Sequence, residues 1–441
     1  MWFGKKTGQS KRATTRTPDR DNVARKSAQG GRRRVAEEEL VRRKLPVDYL
    51  ATGMKVVEPD RPWTDIPVLL QEFVITDPSQ VEVLRHYCNW VMAEAPESVM
   101  AAIEQRIEAL RTGAHNPFAE EAALHEELPR ARKAYADVMD FVDSTTRAIE
   151  QGSMVDLQVA RPLVRQCVES IKANPNALFW LARVKSQDAY TAEHSLRVAI
   201  FAIAFGRFMD MTEEDLEIVG LCGLLHDLGK LKIKSDILNK PSRLDPDEMS
   251  AMQKHAEFGW RMLQNSPSAV PDIVLDVTRH HHERLNGTGY PDGLKAQQIS
   301  RFARLIAIVD VYDAITSDRV YRGALSSSEA IRILYEGREE QFDPDMIEAF
   351  IRMVGVYPPG SLVELTTGEV AIVRGSHPAH RLKPRVEIVL GPDKTPCKRR
   401  LLDLAGNPPD MAGNAYGVRR TLPDNAYGVS LQQEIDRVAA V

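Results

Sequence analysis

Apolar residues recur at intervals of three and four along residues 155–355, a spacing that is typical of amphipathic helices. No alternating pattern of comparable strength occurs there, so we predict an all-helical domain over residues 151–354. The clearest helix start has Asp245 at the N-cap position, Pro246 at the first helical position and Glu248 at the capping-box position. The predicted helices are 159–173, 176–186, 188–209, 213–227, 246–264, 269–283, 299–316, 327–336 and 343–354.

The preceding part of the chain mixes strand and helix patterns. Residues 55–58 and 68–75 are predicted strands, and Pro78 opens a helical pattern that runs through Val91. Residues 97–150 are helical by composition, with predicted breaks at 113–117 and at Pro129. We therefore predict a small α+β domain over residues 45–150, with an accessory or regulatory role.

The pattern changes again after Gly355. Two short apolar segments, 362–365 and 370–373, flank a turn that contains Gly368, and a third strand is predicted over 386–390. These segments predict a short β appendage over residues 355–405, followed by a tail over 406–441. The pentapeptide Asn-Ala-Tyr-Gly-Val occurs twice in this tail, at 414–418 and 425–429, and its sequence suggests no function.

Charge is uneven, although the formal net charge of −4 is small. Residues 1–44 contain 14 Lys and Arg but five Asp and Glu, with few apolar residues. This composition predicts a disordered basic arm, either a solvated tail or a segment weakly attracted to acidic membranes or nucleic acid. The near-neutral net charge of the whole chain gives no general reason to expect nucleic-acid binding.

Other features of composition point to a protein of the cytoplasm. We find no uninterrupted apolar run of 18 residues and no secretory h-region near the N-terminus. The four cysteines are far apart and form no Cys-x-x-Cys pair, which favours reduced thiols over a disulfide framework or a zinc ribbon.

The histidines are concentrated where the helices are predicted. The chain has 11 histidines, and six of them fall between His194 and His282. Neutral imidazole is a common metal ligand, and an acid such as Asp310 at the end of an apolar run is costly without a partner. The candidate ligands are His194, His226, Asp227, His255, His281, His282 and Asp310. His280 is the alternative if the register of the last two histidines shifts by one.

Seven ligands are too many for one ion and suit two divalent ions, with Asp227 as a bridge. Mixed imidazole and carboxylate ligands favour iron or manganese over calcium or magnesium. Two such ions lower the pKa of a bridging water toward ~7 and hold the attacking and leaving oxygens of a phosphodiester. The pattern thus predicts a metal-dependent phosphohydrolase in which Asp227 and Lys230 are catalytic.

Further residues are candidates for substrate contacts. Lys230 could neutralise phosphate charge, and Arg319 and Arg322 could bind a second phosphate, with Asp313 holding these arginines. Gly287 and Gly289 would allow close backbone approach, and Tyr290 would offer an aromatic face to a base. Taken singly, a His-Asp pair, a Gly-Thr-Gly turn or two arginines would more often be structural or surface features; the combination points to a site.

The combined pattern resembles the HD-GYP family of bacterial cyclic-di-GMP phosphodiesterases over roughly residues 155–354. Residues 45–95 resemble an uncharacterised domain often found before HD-GYP modules, through Pro59-Asp60-Arg61-Pro62-Trp63 among others. The motifs that carry the main resemblance are His194-Ser-Leu-Arg-Val, His226-Asp227-Leu-Gly-Lys230, Ile237-Leu-Asn-Lys-Pro241, Lys254-His255, His281-His282-Glu283-Arg284, Gly289-Tyr290-Pro291, Asp310-Val-Tyr-Asp313-Ala and Ser317-Asp318-Arg319.

The resemblance implies an all-α HD-superfamily catalytic domain with two or three iron or manganese ions. It implies hydrolysis of cyclic-di-GMP to linear pGpG, in some members on to GMP, and gives the seven candidates above as metal ligands. It also implies substrate contacts from Lys230, Arg319, Arg322 and the turn Gly289-Tyr290-Pro291.

Two positions depart from the family pattern. Tyr190 stands where members with three metals have Glu, which predicts two ions here, and Glu193 lies on another face of the helix. Asn286 replaces the usual Asp before the first glycine of the turn.

Three functional hypotheses follow. The first is an active cyclic-di-GMP phosphodiesterase. The second is an HD-type phosphohydrolase acting on another cyclic dinucleotide, such as cyclic GMP-AMP, or on a mononucleotide. The third is a non-catalytic cyclic-di-GMP receptor or scaffold. Control through residues 45–150, signalling protein partners and a homodimer are all compatible with the sequence.

Overall fold

The computed structural model describes residues 40–66, 71–112, 120–184, 190–317, 325–377, 380, 382–410 and 413–440. The predictions for the basic arm up to residue 39, for the break at 113–117, and for Arg319 and Arg322 lie outside these residues. Residues 40–44 belong to a strand, so the prediction that the arm extends to residue 44 is wrong. Among the described residues, no helix combines the length and the apolar composition needed to cross a lipid bilayer.

The N-terminal part forms a four-stranded antiparallel sheet with two helices. Its strands are β1 Leu40–Pro46, β2 Lys55–Pro59, β3 Phe73–Val74 and β4 Trp90–Pro96, in the order β1-β4-β2-β3. Its helices are α1 Pro78–Tyr87 and α2 Glu97–Thr112. The helix predicted through Val91 therefore ends earlier, because every second residue of β4 is buried between β1 and β2. Strand pairing on both sides outweighs the local helical spacing.

A long helix, α3 Leu124–Glu150, connects this sheet to the helical domain. The predicted break at Pro129 does not occur, although proline cannot donate to the carbonyl four residues earlier. Glu126 caps the helix start by accepting a hydrogen bond from the backbone N–H of Ala123 at 3.0 Å. Buried residues on both sides of Pro129, such as Leu128 and Val138, pack the same face of the helix into the core.

The helical domain follows the predicted pattern closely. Its helices are α4 Leu157–Ala173, α5 Pro175–Arg183, α6 Tyr190–Phe208, α7 Glu213–Leu225, α8 Ser235–Leu238, α9 Pro246–Gln253, α10 His255–Gln264, α11 Asp272–His280, α12 Arg301–Thr316, α13 Ser327–Glu336 and α14 Pro344–Val354. The capping box of Asp245 and Glu248 is confirmed. The single helix predicted over 246–264 is divided after α9, where the His255 side chain binds the carbonyl of Met252 at 2.8 Å.

The C-terminal part is larger than the predicted appendage. Its five strands are β5 Leu362–Leu365, β6 Val370–Gly375, β7 Arg385–Leu390, β8 Pro396–Asp403 and β9 Val418–Leu422, and they form an antiparallel sheet in the order β8-β7-β6-β5-β9. A last helix, α15 Leu431–Ala439, packs on α3. The predicted tail thus supplies a strand and a helix of the fold.

The repeated pentapeptide is not a structural repeat. Tyr416 of the first copy is 5% exposed and belongs to the core of the C-terminal sheet, whereas Tyr427 of the second copy is 48% exposed. Asn425 and Tyr427 have positive φ angles of 63° and 54°, in the left-handed region. The same five residues therefore occupy two different environments, which are determined by tertiary contacts.

The N-terminal sheet domain contacts the helical domain through charged side chains. Arg85 of α1 lies 3.2 Å from Asp215 of α7, and both side chains are buried. The Arg61 guanidinium donates a hydrogen bond to the carbonyl of Gln297, just before α12. α7 ends just before His226 and Asp227, and α12 contains Asp310. The N-terminal domain therefore contacts a helix and a segment that position candidate ligands.

Candidate metal centre

Five separate parts of the helical domain bring the seven candidate ligands together. His194 lies on α6, His226 and Asp227 follow α7, and His255 begins α10. His281 and His282 follow α11, and Asp310 lies in the second half of α12. The ligand atoms form two groups, each within 4.8 Å: Asp227, His255, His281 and His282, and His194, His226 and Asp310. The sequence-based set is thus assembled in one place.

Asp227 lies between the two groups and presents one oxygen to each. Its Oδ2 atom is 3.3 Å from Nε2 of His194 and 3.2 Å from Nε2 of His226. Its Oδ1 atom is 3.4 Å from Nε2 of His255 and 3.8 Å from Nε2 of His281. This is the arrangement required of a carboxylate that bridges two cations.

Asp310, on α12, also contacts histidines of both groups. Its Oδ1 atom is 3.2 Å from Nε2 of His194 and 4.0 Å from Nε2 of His226, and its Oδ2 atom is 3.8 Å from Nδ1 of His282. Both carboxylates therefore contact histidines of both groups, and the two groups form one centre.

Hydrogen bonds outside the centre orient the imidazoles. The Nδ1 atoms of His226 and His255 lie 2.8 Å from the carbonyls of Gly223 and Met252, and Nδ1 of His281 lies 3.1 Å from the carbonyl of Thr278. If each Nδ1–H donates to its carbonyl, the Nε2 lone pair points to the centre. Such outer hydrogen bonds fix the tautomer and the ring orientation of metal-binding histidines.

Asp313 has a different position from the one predicted. Its carboxylate is buried behind His194, where Oδ2 lies 2.8 Å from Nδ1 of that imidazole. The Arg197 guanidinium donates to both oxygens of Asp313, at 2.7 and 3.0 Å. The oxygens of Asp313 are thus engaged by the buried side chains of His194, Arg197 and Ser317, and Asp313 supports His194. Its predicted hold on Arg319 and Arg322, which lie outside the described residues, stays a prediction.

The electrostatics favour the metal-binding protonation states of most ligands. Burial alone would raise the pKa of Asp227, but Lys230, His226 and hydrogen bonds to histidines hold it well below 3.8. Burial lowers the pKa of His282 to about 3, so this imidazole is neutral. For His194, burial acts downward, yet its hydrogen bonds to aspartates raise the pKa well above 6.5. The aspartates thus create a negative field that favours a cation.

Two buried polar atoms support a cation site. His226 Nε2 and Asp227 Oδ1 lack a hydrogen-bond partner within the described part of the chain. Burying a polar atom without a partner costs free energy, and a carboxylate costs more than a neutral group. Both atoms face the centre, so divalent ions held by the imidazoles and carboxylates would satisfy them. The ligand set fits such ions.

The centre opens into a cavity of about 1420 Å³, which exceeds the ~300–1,000 Å³ typical of small-ligand sites. His194, Asp227, His255, His282 and Asp310 line it. Lys230 also lines the cavity and donates a hydrogen bond to Asp227 Oδ2. The Tyr290 ring lines it beside His282, with ring centroids 4.8 Å apart. Lys230 and Tyr290 therefore both line the cavity, and their contact with a substrate stays a prediction.

The glycine turn serves mainly to place Tyr290. A Cβ at Gly289 would lie 2.4 Å from Cα of Glu283, so the glycine allows two backbone segments to touch. The buried Glu283 carboxylate accepts hydrogen bonds from the backbone N–H groups of Asp292, Gly293 and Leu294. Gly289 therefore contributes close packing, where a substrate contact was predicted.

Predictions also concern Pro291, His280, Asn286 and Tyr190. Pro291 is exposed and does not line the cavity, so its predicted substrate contact is not supported. His280 contacts Asp276 at 2.7 Å and Asp292 at 2.9 Å, so the register with His281 and His282 as ligands holds. Asn286 closes a local turn by accepting from Thr288. The predictions for the Tyr190 side chain lie outside what the structure describes.

Arg284 is a cavity residue that the sequence reasoning did not select. Its guanidinium lies 4.8 Å from the Phe342 ring centroid, and Nη1 is buried without a hydrogen-bond partner among the described residues. Burial lowers the pKa of Arg284. Its position directly after His281-His282-Glu283 was the available signal, but an arginine in a loop is usually a surface residue.

Comparisons with known proteins identify two regions. Residues 179–346 match the HD domain, and residues 42–160 match a domain of unknown function, DUF3391. A Pseudomonas aeruginosa protein named cyclic di-GMP phosphodiesterase is 36% identical over 371 residues, covering 82% of this chain and 89% of that protein.

Other relatives match a shorter part of the chain. The cyclic di-GMP phosphodiesterase response regulator RpfG of Xanthomonas campestris is 35% identical, covering 39% of this chain and 46% of that protein. A 3'3'-cGAMP-specific phosphodiesterase of Vibrio cholerae is 34% identical, covering 40% of this chain and 38% of that protein. With the long match to the Pseudomonas protein and the ligand motifs in place, the chain belongs to the HD-GYP family of HD domain proteins.

Proposed function

We propose that this protein is a metal-dependent phosphodiesterase that hydrolyses cyclic-di-GMP to linear pGpG. The observation that carries the proposal is Asp227, which presents one carboxylate oxygen to each of two histidine groups at the floor of a large cavity. The long match to a relative named cyclic di-GMP phosphodiesterase supports the substrate.

We assign metal binding to His194, His226, Asp227, His255, His281, His282 and Asp310. Divalent ions held there would supply Lewis-acid activation of water and neutralise charge on the phosphodiester. The imidazoles and carboxylates without a thiolate favour iron or manganese, in two ions. In the described residues the two ligand groups contain no cysteine.

The chain's own residues orient the substrate in this scheme. Lys230 lies beside Asp227 at the cavity and can donate from its ammonium group to a phosphate oxygen. Tyr290 lies beside His255 and His282 and offers its ring and hydroxyl to the cavity. Burial raises the pKa of the Tyr290 phenol, which keeps it protonated as a hydrogen-bond donor. Arg319 and Arg322 remain proposed contacts for a second phosphate.

The test is turnover by the purified full-length chain loaded with Mn²⁺ or Fe²⁺, with chromatography to separate pGpG from GMP. We expect wild-type hydrolysis and a loss of at least about 100-fold in Asp227→Asn, because the isosteric amide removes the bridging charge. His125→Ala is the matched control, since His125 is an exposed histidine of α3. Equal turnover by wild type and Asp227→Asn would reject the proposed centre.

Relatives named cGAMP-specific phosphodiesterases make 3'3'-cyclic GMP-AMP the second candidate substrate. The same assay with both dinucleotides compares their kcat/KM values directly. Binding of cyclic-di-GMP without turnover of any dinucleotide would favour the receptor hypothesis. We also propose that the N-terminal domain regulates the site, since Arg85 and Arg61 connect it to α7 and to the segment before α12.

A further inference from the structure

One wall of the catalytic cavity comes from the C-terminal end of the chain. Asp424, Asn425, Ser430 and Leu431 line the same cavity as the candidate ligands. This segment lies outside the HD domain match, which ends at residue 346. The cavity is therefore shaped partly by residues that the shared domain does not contain.

The wall is fixed at both ends. Before it, Leu422 at the end of β9 is paired with Leu362 at the start of β5. After it, Val429 is buried, and α15 packs on α3 with Ile435 buried in the same core as the helical domain. A segment anchored in this way presents its side chains to the cavity in defined positions.

A charged pair stands on this wall. Nη2 of Arg183, the last residue of α5, donates to Oδ1 of Asp424 at 3.1 Å. Both side chains line the cavity and remain partly exposed, at 25% for Arg183 and 44% for Asp424. Nε of Arg183 is buried and lacks a hydrogen-bond partner within the described residues.

The arginine is held in place by close packing. Gly360 has a φ of +83°, and a Cβ at this position would lie 3.0 Å from Cδ of Arg183 and 3.3 Å from Leu431. The glycine therefore leaves room for the arginine stem beside the wall. An arginine restrained along its stem loses little further entropy when its planar group binds a ligand.

We propose that Arg183 and Asp424 recognise a guanine base of the cyclic dinucleotide. Guanine offers acceptors at O6 and N7, which match the guanidinium fork, and N–H donors at N1 and N2, which match a carboxylate. Adenine offers an N6 donor where guanine has the O6 acceptor, so the same pair disfavours it. The inference rests on the proposed function and adds to it the part of the chain that selects the base.

The first test is Asp424→Asn, assayed with cyclic-di-GMP, cyclic-di-AMP and bis(p-nitrophenyl) phosphate. We expect KM for cyclic-di-GMP to rise about 10-fold and the preference over cyclic-di-AMP to fall by a similar factor. We expect kcat to change little, and hydrolysis of bis(p-nitrophenyl) phosphate, which has no nucleobase, to stay at the wild-type rate. Arg183→Lys keeps the charge but loses the fork, and should also lose preference for guanine.

The matched control is Arg420→Gln. Arg420 also forms an ion pair in the C-terminal segment, with Glu364 of β5 at 2.6 Å, but neither residue lines the cavity. This variant should keep the wild-type KM and preference, so a merely structural effect of losing a C-terminal ion pair is separated from base recognition.

A binding measurement distinguishes failure of this inference from failure of the proposed function. Calorimetric titration of cyclic-di-GMP into wild type and Asp424→Asn needs no turnover, so it also applies if the protein is a receptor. Absence of wild-type hydrolysis with a Kd that Asp424→Asn raises about 10-fold would reject the proposed enzyme and support base recognition. Unchanged KM, Kd and base preference in both wall variants would overturn the inference.

Discussion

Gly229 provides a sharp test of how Asp227 and His255 are held together in the centre. It lies in the short helical turn Leu228–Lys232 that follows Asp227, directly against the start of α10. A Cβ at this position would lie 1.9 Å from the carbonyl oxygen of His255 and 2.4 Å from the backbone nitrogen of Gly259. Both contacts are with backbone, so no side chain can rotate away.

Two opposing contributions to the free energy of unfolding decide whether Gly229→Ala stabilises or destabilises the protein. Replacing glycine by alanine within a helical turn ordinarily stabilises a protein, by up to about 1 kcal/mol, since it restricts the unfolded chain. Here the turn and α10 must separate by about 1 Å to relieve the contact, and overpacking of this kind costs typically about 1–3 kcal/mol or more. Gly229→Ala should therefore destabilise the protein.

The same displacement should lower activity, because it acts on the contact between His255 and Asp227, the carboxylate that lies between the two ligand groups. Nε2 of His255 lies 3.4 Å from Oδ1 of Asp227. A Cβ at position 229 would press directly on the backbone of His255. A misplacement of about 1 Å in a catalytic group can reduce the rate about 100-fold. We expect a comparable loss in kcat for cyclic-di-GMP, accompanied by weaker retention of metal.

The assays are thermal unfolding, metal content after dialysis, and steady-state turnover of Gly229→Ala. Gly406→Ala is the matched control, because Gly406 also lies in a short helical turn, and a Cβ there would meet nothing within 4 Å. The control should unfold at or above the wild-type temperature. If Gly229→Ala did the same and kept full turnover, the close contact between the turn and α10 would not hold the centre.

Three further predictions concern the centre and its surroundings. Removal of metal by a chelator should lower the unfolding temperature, and added Mn²⁺ should restore it, since a ligand present at 1,000 times its Kd stabilises the folded state by about 4 kcal/mol. Asp313→Asn should weaken metal binding at least about 10-fold in a metal titration, because His194 loses its anionic hydrogen-bond partner. Hydrogen bonds from Arg279 and His280 lower the pKa of Asp292 from 3.8 to about 2. Its carboxylate therefore contributes stability above pH 3.8 that is lost as the pH falls toward 2, and Asp292→Asn should lack this part of the acid dependence in unfolding measurements.

The helices and the ligand set could be predicted because their signals are local. Helical spacing of apolar residues marks each helix, and a scarce residue type concentrated in one domain marks the site. The strand β4 and the helix α15 could not be read in the same way. Val91 fits a helical spacing with Val81 and Leu84, and only pairing with β1 and β2 makes it a strand.

Residues that support the ligands were harder to assign than the ligands themselves. Asp313 was recognised as important, but its partner proved to be His194, which is 119 positions away in the sequence. Glu283 follows the histidine pair, yet nothing local indicates that its carboxylate accepts three backbone hydrogen bonds. Such roles depend on which elements meet in space, and a sequence pattern specifies a residue's own element much better than its distant neighbours.

The contact between Arg85 and Asp215 shows how distant parts of the chain can bear on the centre. Asp215 lies in the first turn of α7, and the same helix ends immediately before His226 and Asp227. A buried ion pair that loses one member leaves an uncompensated charge, so the N-terminal domain cannot leave α7 without a large cost at Asp215. Any ligand or partner that shifts the N-terminal sheet must therefore also act on the helix that ends immediately before His226 and Asp227.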